Sequence, residues 1–354
     1  MTVSFTYPQP ELAAEPTIGD GAKGPALAFA HHQKIDSLLQ RAIGLTTVQQ
    51  YDEALALIDS VIRLAPQEPV GFLFHAAILQ SRMLDYETFE DEKAFFKATS
   101  VCRKLAQTKV ARRPKDAWAH FFLGSALGYE AFFLGKKQRY LEALRAGWQC
   151  LQHLETAVKL EPQLYDAYLG IGTYKYYRSK LSKNFSWLPF VDDEREAGIS
   201  MIRQAAAKGR YSRYAAINGL AWILLAENRP EEALTLVDSV LAFFPTSRFF
   251  LWGAAEAAYR TKRYEKAGQH YQQILSSLQE EKRLAPYLEI VGRTRLAKVY
   301  LAASRTEAAC QELGRIAAIT LPREDRERGK AFLQEAATYR KNCRTSTNAK
   351  TQHE

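Results

Sequence analysis

Groups able to act as nucleophiles, proton carriers or metal ligands are few and scattered in this chain, which has four Cys and seven His among 354 residues. Cys102, Cys150, Cys310 and Cys343 form no Cys-x-x-Cys and have no paired-His spacing beside them, so neither a zinc site nor a redox dithiol is written. Cys102, Cys150 and Cys310 read instead as small buried hydrophobes on helices. His31 and His32 are adjacent, and adjacent side chains diverge on a helix, which argues against a shared metal. There is no His-Glu-x-x-His and no Gly-x-Ser-x-Gly. Gly170-x-Gly172 lacks the third glycine and the preceding strand of a dinucleotide site. Asp192, Asp193 and Glu194 stand together at a helix start, where Asp caps and negative charge suits the helix dipole, so they read as a cap and not a metal site. The expectation is a non-enzyme with no catalytic residue, no cofactor and no metal.

What remains are rings and amides that bind without reacting, and a repeat must position them. The segment 229–245 (RPEEALTLVDSVLAFFP) nearly duplicates 50–66 (QYDEALALIDSVIRLAP), and 262–275 (KRYEKAGQHYQQIL) is a further copy. In each, a small residue is followed by apolar side chains at i+4 and i+7, one face of a helix: Ala54/Ile58/Val61, Ala233/Val237/Val240 and Ala267/Tyr271/Ile274. A second helix precedes each, carrying Leu38/Ala42/Leu45, Ile217/Leu220/Ala221/Leu224 and Leu251/Ala254/Ala255/Ala258. Each unit is therefore a helical hairpin. Leu296/Ala297/Tyr300 with Ala309/Leu313/Ile316 make a fourth copy, and Pro66 and Pro245 close two of the units. Between them, Pro66, Pro114 and Pro162 precede the helical stretches Gln67–Arg82, Ala117–Leu134 and Tyr165–Leu181. The partner helices in this middle region, near Phe89–Thr108 and Arg139–Leu160, are longer than a standard second helix.

These features resemble the tetratricopeptide repeat superfamily, with its Trp-x2-Leu-Gly-x2-Tyr, Ala-x3-Phe and closing Pro on a 34-residue period, the interval from Ala233 to Ala267. The resemblance implies an all-α fold, a right-handed superhelical solenoid of antiparallel helix hairpins. Regular repeats are expected near 35–68, 214–247, 248–281 and 290–322, irregular extended ones over 69–213, and a polar capping helix over 323–341. The whole of 28–342 is read as one solenoid between a disordered arm, 1–27, and a disordered tail, 343–354. A narrower resemblance covers about 160–245. Gly170, Gly172, Tyr174, Ser179, Leu181, Arg195, Glu196 and Gly198 resemble the tetratricopeptide repeat protein 39 family and a set of bacterial repeat proteins. The eukaryotic branch implies lipid handling or aggregate clearance, without an enzymatic activity that maps onto these positions. Asn184–Pro189 departs from that branch, lacking its Pro directly after the Ser-x-Leu. The bacterial branch implies export.

In such a solenoid the first helix of each hairpin lines a concave face suited to an extended peptide. The repeat register projects onto it Trp118, Phe121, Tyr129, Tyr176, Tyr177, Asn218, Trp222, Phe249, Trp252, Tyr259, Arg260 and Lys298. Rings with few rotors dominate binding hot spots, so one reading is a peptide channel and a second is that the same rings fill a tight superhelix. Asn218, Arg260 and Lys298 lack the spacing of a carboxylate clamp for a chaperone terminus. The apolar run Phe185, Trp187, Leu188, Pro189 and Phe190 reads either as a loop covering the helices or as a lip that touches a ligand.

Composition agrees. At 47% hydrophobic and 25% charged the chain is globular, and only 13 Pro and 19 Gly argue against a turn-rich β fold. Length alone suggests about two domains; repetition replaces that count with one array. The net charge of +9 is spread over separate helix ends, as in 109–115 (KVARRPK), which argues against nucleic acid as partner. No apolar run is long enough to cross a bilayer, and 1–21 lacks the basic and apolar regions of a signal peptide, so the expected compartment is the cytoplasm, with export as the alternative. The expected role is a scaffold for a partner protein or peptide, against the rival of a carrier for a lipid or other hydrophobic small molecule.

Overall fold

The computed structural model describes Leu27 and residues 31–182 and 192–350. Fourteen of its fifteen α-helices form seven antiparallel hairpins: α1 His32–Thr47 with α2 Tyr51–Leu64, α3 Pro69–Tyr86 with α4 Glu92–Arg112, α5 Ala117–Lys136 with α6 Tyr140–Leu160, α7 Asp166–Ser182 with α8 Arg195–Lys208, α9 Arg213–Ala226 with α10 Pro230–Leu241, α11 Arg248–Arg260 with α12 Tyr264–Glu280, and α13 Pro286–Ala302 with α14 Thr306–Ala317. A short 3-10 turn leads into α15, Arg326–Lys350. Among the described residues there is no strand. The chain is an all-α solenoid, as the repeats predict, and the long middle hairpins are the extended units expected there. The terminal helix outruns its expected end: α15 continues to Lys350, through part of the segment read as disordered tail. Most of the N-terminal arm and the apolar run 185–190 lie outside the described residues; Leu27, the arm's last residue, is buried.

The repeat small residues do what their size allows. Ala54, Ala233, Ala267 and Ala309 are fully buried at helix crossings, together with Ile58, Val61, Val237, Tyr271, Ile274 and Leu313. In α1 the buried stripe is Ile35, Leu39 and Ala42, so the projected Leu38 and Leu45 are only half-buried. The turns inside five hairpins share one geometry. Gln49, Gln138, Asn228, Lys262 and Ser304 take left-handed φ values of 57 to 65°, and the next residue's N–H returns to the carbonyl five residues earlier, as in Arg229 to Leu224 and Arg263 to Ala258, both 2.8 Å.

The array is not a row of units that touch only their neighbours. Its first two hairpins fold against the starts of its later ones, forming a seam. Asp36 of α1 accepts from Arg210 and from the Tyr211 hydroxyl (2.6 Å), and Gln40 donates to the Arg210 carbonyl (3.0 Å), just ahead of α9. Ser247, just ahead of α11, donates to the Thr47 carbonyl at 2.6 Å. Arg248, at the first turn of α11 and 1% exposed, is bidentate to Asp85 of α3 (3.0 and 2.7 Å) and reaches Glu281. Burial works against the charge on Arg248, but hydrogen bonds to Asp85 and Glu281 outweigh it and raise its pKa. Tyr86 donates to Glu281 at 3.0 Å, and Arg328 of α15 pairs with Glu87 at 2.9 Å.

The cysteines divide differently from expectation. Cys102 and Cys150 are buried, and burial pushes the Cys150 thiol up to about 12, so both are inert core residues. Cys310 is not one: it is bonded to Cys343, Cα to Cα 5.7 Å, tying α14 to α15. Thirty-three residues separate the two in sequence, so no spacing motif announces the bridge.

Candidate functional site

The seam decides which of the projected groove residues meet solvent. Tyr211, carried inward ahead of α9, sits edge-on to Phe74 (5.6 Å) and to Trp118 (6.1 Å), and Trp118 stacks on Phe122 at 5.6 Å. Phe121 lies in the same core. Tyr129 packs between two clusters, and burial pushes its hydroxyl up to about 12. Tyr176 is fully buried and donates to Glu227 at 2.8 Å; burial and that carboxylate raise its pKa. Trp118, Phe121, Tyr129 and Tyr176 are therefore packing rings and not an open channel: Tyr211 covers Trp118 from across the seam, while Tyr176 packs locally against Tyr177 and Glu227. Tyr177 is exposed but stands edge-to-face on Tyr176, apart from the remaining candidates.

The other seven candidates lie on α9, α11 and α13. Asn218 and Trp222 share a face of α9 at i, i+4. Trp222 is 42% exposed, and Asn218 holds a buried Oδ1 without a partner. On α11, Phe249 rests edge-on to Phe250, Trp252 contacts Tyr271 of α12 at 5.9 Å, and Tyr259 lies under the Lys298 ammonium of α13 at 4.8 Å. A cavity of about 180 Å³ opens between Trp222 and Trp252.

Two of the residues that line it escape a reading of the sequence and set its electrostatics. Glu256 side-chain oxygens accept from Arg260 Nε at 2.7 Å and lie 3.8 Å from Arg295, with the Tyr271 hydroxyl at 3.4 Å. Arg260 also donates to the Leu225 carbonyl at 2.7 Å. One nearly buried carboxylate thus stands between two half-exposed guanidiniums, and the pocket carries surplus positive charge beside two indoles. Their signal is the register itself: Glu256 follows Trp252 by four residues and Arg295 precedes Lys298 by three, so each shares a helix face with a residue already singled out. At the C-terminal end α15 closes the groove, where Glu335 meets Lys298 at 3.9 Å and accepts from Tyr339 at 2.6 Å.

The motif residues of 160–245 are structural. Ser179 accepts from the Glu194 N–H at 3.0 Å, and Arg195 reaches Glu227 at 2.8 Å. Glu194 pairs with Lys175 and Arg178, and Asp193 pairs with Arg195 and accepts its N–H at 3.2 Å, while Glu194 at the N-cap of α8 makes no side-chain capping bond. Among the described residues no group of three or more His, Cys, Asp or Glu could hold a metal.

Seven helix hairpins stacked in series define an α-solenoid. No protein-family model matches the chain, and no curated protein matches it in sequence. Solved structures do. The Cut9 and Hcn1 hetero-tetramer of the APC/C is similar at 17% identity and a TM-score of 0.52, over 86% of this chain and 53% of that one. A thermophilic TPR protein of Thermus thermophilus matches at 19% identity and a TM-score of 0.40, over 64% of this chain and 99% of that one. The C-terminal part of a TPR repeat-containing protein of Cytophaga hutchinsonii matches at 14% and 0.42, over 82% and 98%. At these identities the likeness is one of fold alone.

Proposed function

We propose that the chain is a non-enzymatic scaffold that holds an extended segment of a partner protein across α9, α11 and α13, and that this segment joins an acidic group to an aromatic or aliphatic side chain. The observation that carries this reading is the cavity between Trp222 and Trp252, floored by Glu256 and flanked by Arg260 and Arg295. An apolar side chain fits between the indoles, and a carboxylate is attracted by the guanidinium charge that Glu256 leaves uncompensated. Cavity size supports a peptide over a lipid: about 180 Å³ is smaller than the roughly 300 Å³ at which small-molecule pockets begin. Some basic residues elsewhere pair with acids, as in Lys109 with Glu68, Lys136 with Glu87 and Lys137 with Glu92, which lowers the charge those helix ends offer a nucleic acid.

No helix of the described residues is long and apolar enough to cross a membrane. The Cys310–Cys343 bridge favours an oxidising compartment over the cytoplasm expected from the leading residues.

Selection of a displayed random-peptide library on the immobilised full chain tests the binding mode. Enrichment of sequences with Asp or Glu beside an aromatic or aliphatic residue is expected, with binding lost in Trp222→Ala/Trp252→Ala. Retention of the same peptides by that double variant would place the site elsewhere.

A further inference from the structure

The outer face of α6 breaks the pattern of its own repeat. The sequence Tyr-x-Glu-Ala-Leu begins both α2 and α6, and Pro-x-Glu-Ala-Leu begins α10. In α2 it buries Tyr51 and Ala54, and in α10 it buries Ala233 and Leu234. In α6 it leaves Tyr140 and Leu144 in solvent, along with Leu141 and Trp148 on the same side and Phe132 of α5. These five are 54 to 84% exposed. The opposite face of α6, Ala146, Cys150, Leu154 and Ala157, is already committed to the solenoid. A helix that is apolar on two faces has a second neighbour to find.

We infer that this neighbour is a second copy of the chain, in a two-fold symmetric dimer built on α6. The face is large enough. At roughly 200 Å² for a large side chain, the exposed fractions amount to roughly 600 Å² of apolar surface per copy, against about 800 Å² per partner, polar rim included, in a standard interface. It is also self-complementary, as a two-fold contact must be. An antiparallel pair of α6 helices centred on Leu144 brings Tyr140, one turn before it, against Trp148 of the partner subunit, one turn after it. Leu144 then lies next to its own copy at the axis. The groove on α9, α11 and α13 is built from other hairpins, so the dimer presents two such grooves.

Sedimentation of the full chain at micromolar concentration, with circular dichroism on every variant, tests this. Wild type is expected at twice the chain mass and Leu144→Glu at the single chain mass, with unchanged helicity because Leu144 is exposed within one copy. Leu144→Cys, beside the axis, is expected to cross-link into a covalent dimer under mild oxidation, while Thr235→Cys, exposed on α10, does not. A monomeric wild type overturns the inference and leaves the face covered from within the chain or by another surface, which vesicle co-sedimentation then identifies. A Leu144→Glu dimer, or a dimer that Leu144→Cys fails to cross-link, overturns it equally.

Discussion

Gly172 of α7 and Gly198 of α8 meet backbone to backbone. A Cβ on Gly172 would lie 2.5 Å from the Gly198 carbonyl oxygen, and one on Gly198 would lie 2.6 Å from the Gly172 carbonyl oxygen. Neither obstacle is the movable end of a side chain, so the helices themselves must part. Gly172→Ala or Gly198→Ala is expected to cost about 1–3 kcal/mol, read by urea unfolding. Gly44→Ala in α1, where an added Cβ has nothing within 4 Å, should instead gain about 0.5–1 kcal/mol.

Arg248 holds the seam at its most buried point. Arg248→Met leaves the Asp85 carboxylate, 8% exposed, without its guanidinium, and removing one partner of a buried pair costs about 3–5 kcal/mol. Adding Asp85→Leu should recover part of that loss. A double-mutant cycle in urea measures it, and simple additivity would mean that the two do not act as a pair.

Acid should weaken the fold through its histidines. Burial lowers the pKa of His75, His153 and His270, with the neighbouring charge of Arg82 adding at the first and that of Lys266 at the last. Each is neutral when folded, while the unfolded chain takes up its proton near 6.5. The unfolded state therefore binds more protons, and stability present above about pH 7 is lost as pH falls through 6.5 toward the lowered folded values. His153 sits in a part-buried pair: its Nδ1 lies 3.1 Å from His120 Nδ1, and His120 Nε2 donates to the Pro114 carbonyl at 3.0 Å. Melting temperature should be lower at pH 5.5 than at 7.5, with a smaller difference in His270→Gln.

Reduction should loosen the terminal helix first. For the 33-residue separation of Cys310 and Cys343, chain entropy assigns about 3–4 kcal/mol to the cross-link. Dithiothreitol, or Cys343→Ser, is expected to raise hydrogen exchange over α15 before that over α9 or α11. Uniform exchange across all three helices would show that the bridge stabilises the whole array.

The hairpins are legible in the sequence because small residues recur where helices cross, and Ala54, Ala233, Ala267 and Ala309 all prove fully buried. The turns are less so: Gln49, Gln138, Lys262 and Ser304 adopt a left-handed backbone with no glycine to mark it. The seam has no local signature at all, since Asp36 and Arg210 are 174 residues apart and Asp85 and Arg248 are 163. That is why register alone places Trp118 and Phe121 in a channel, while Tyr129 and Tyr176 are covered by nearer elements, Tyr176 by Glu227 of the next hairpin. Register tells which side of a helix a ring occupies, but not whether distant chain has filled the space in front of it. Over α9 and α11 the described residues leave Trp222 42% exposed and Trp252 half-buried.

Open solenoids evolve by duplicating or deleting units, because each unit answers only to its neighbours. The seam removes that freedom. Losing either hairpin between α5 and α8 would carry Arg248 away from Asp85 and Tyr211 away from Phe74 together, so a deletion there costs the seam as well as the unit.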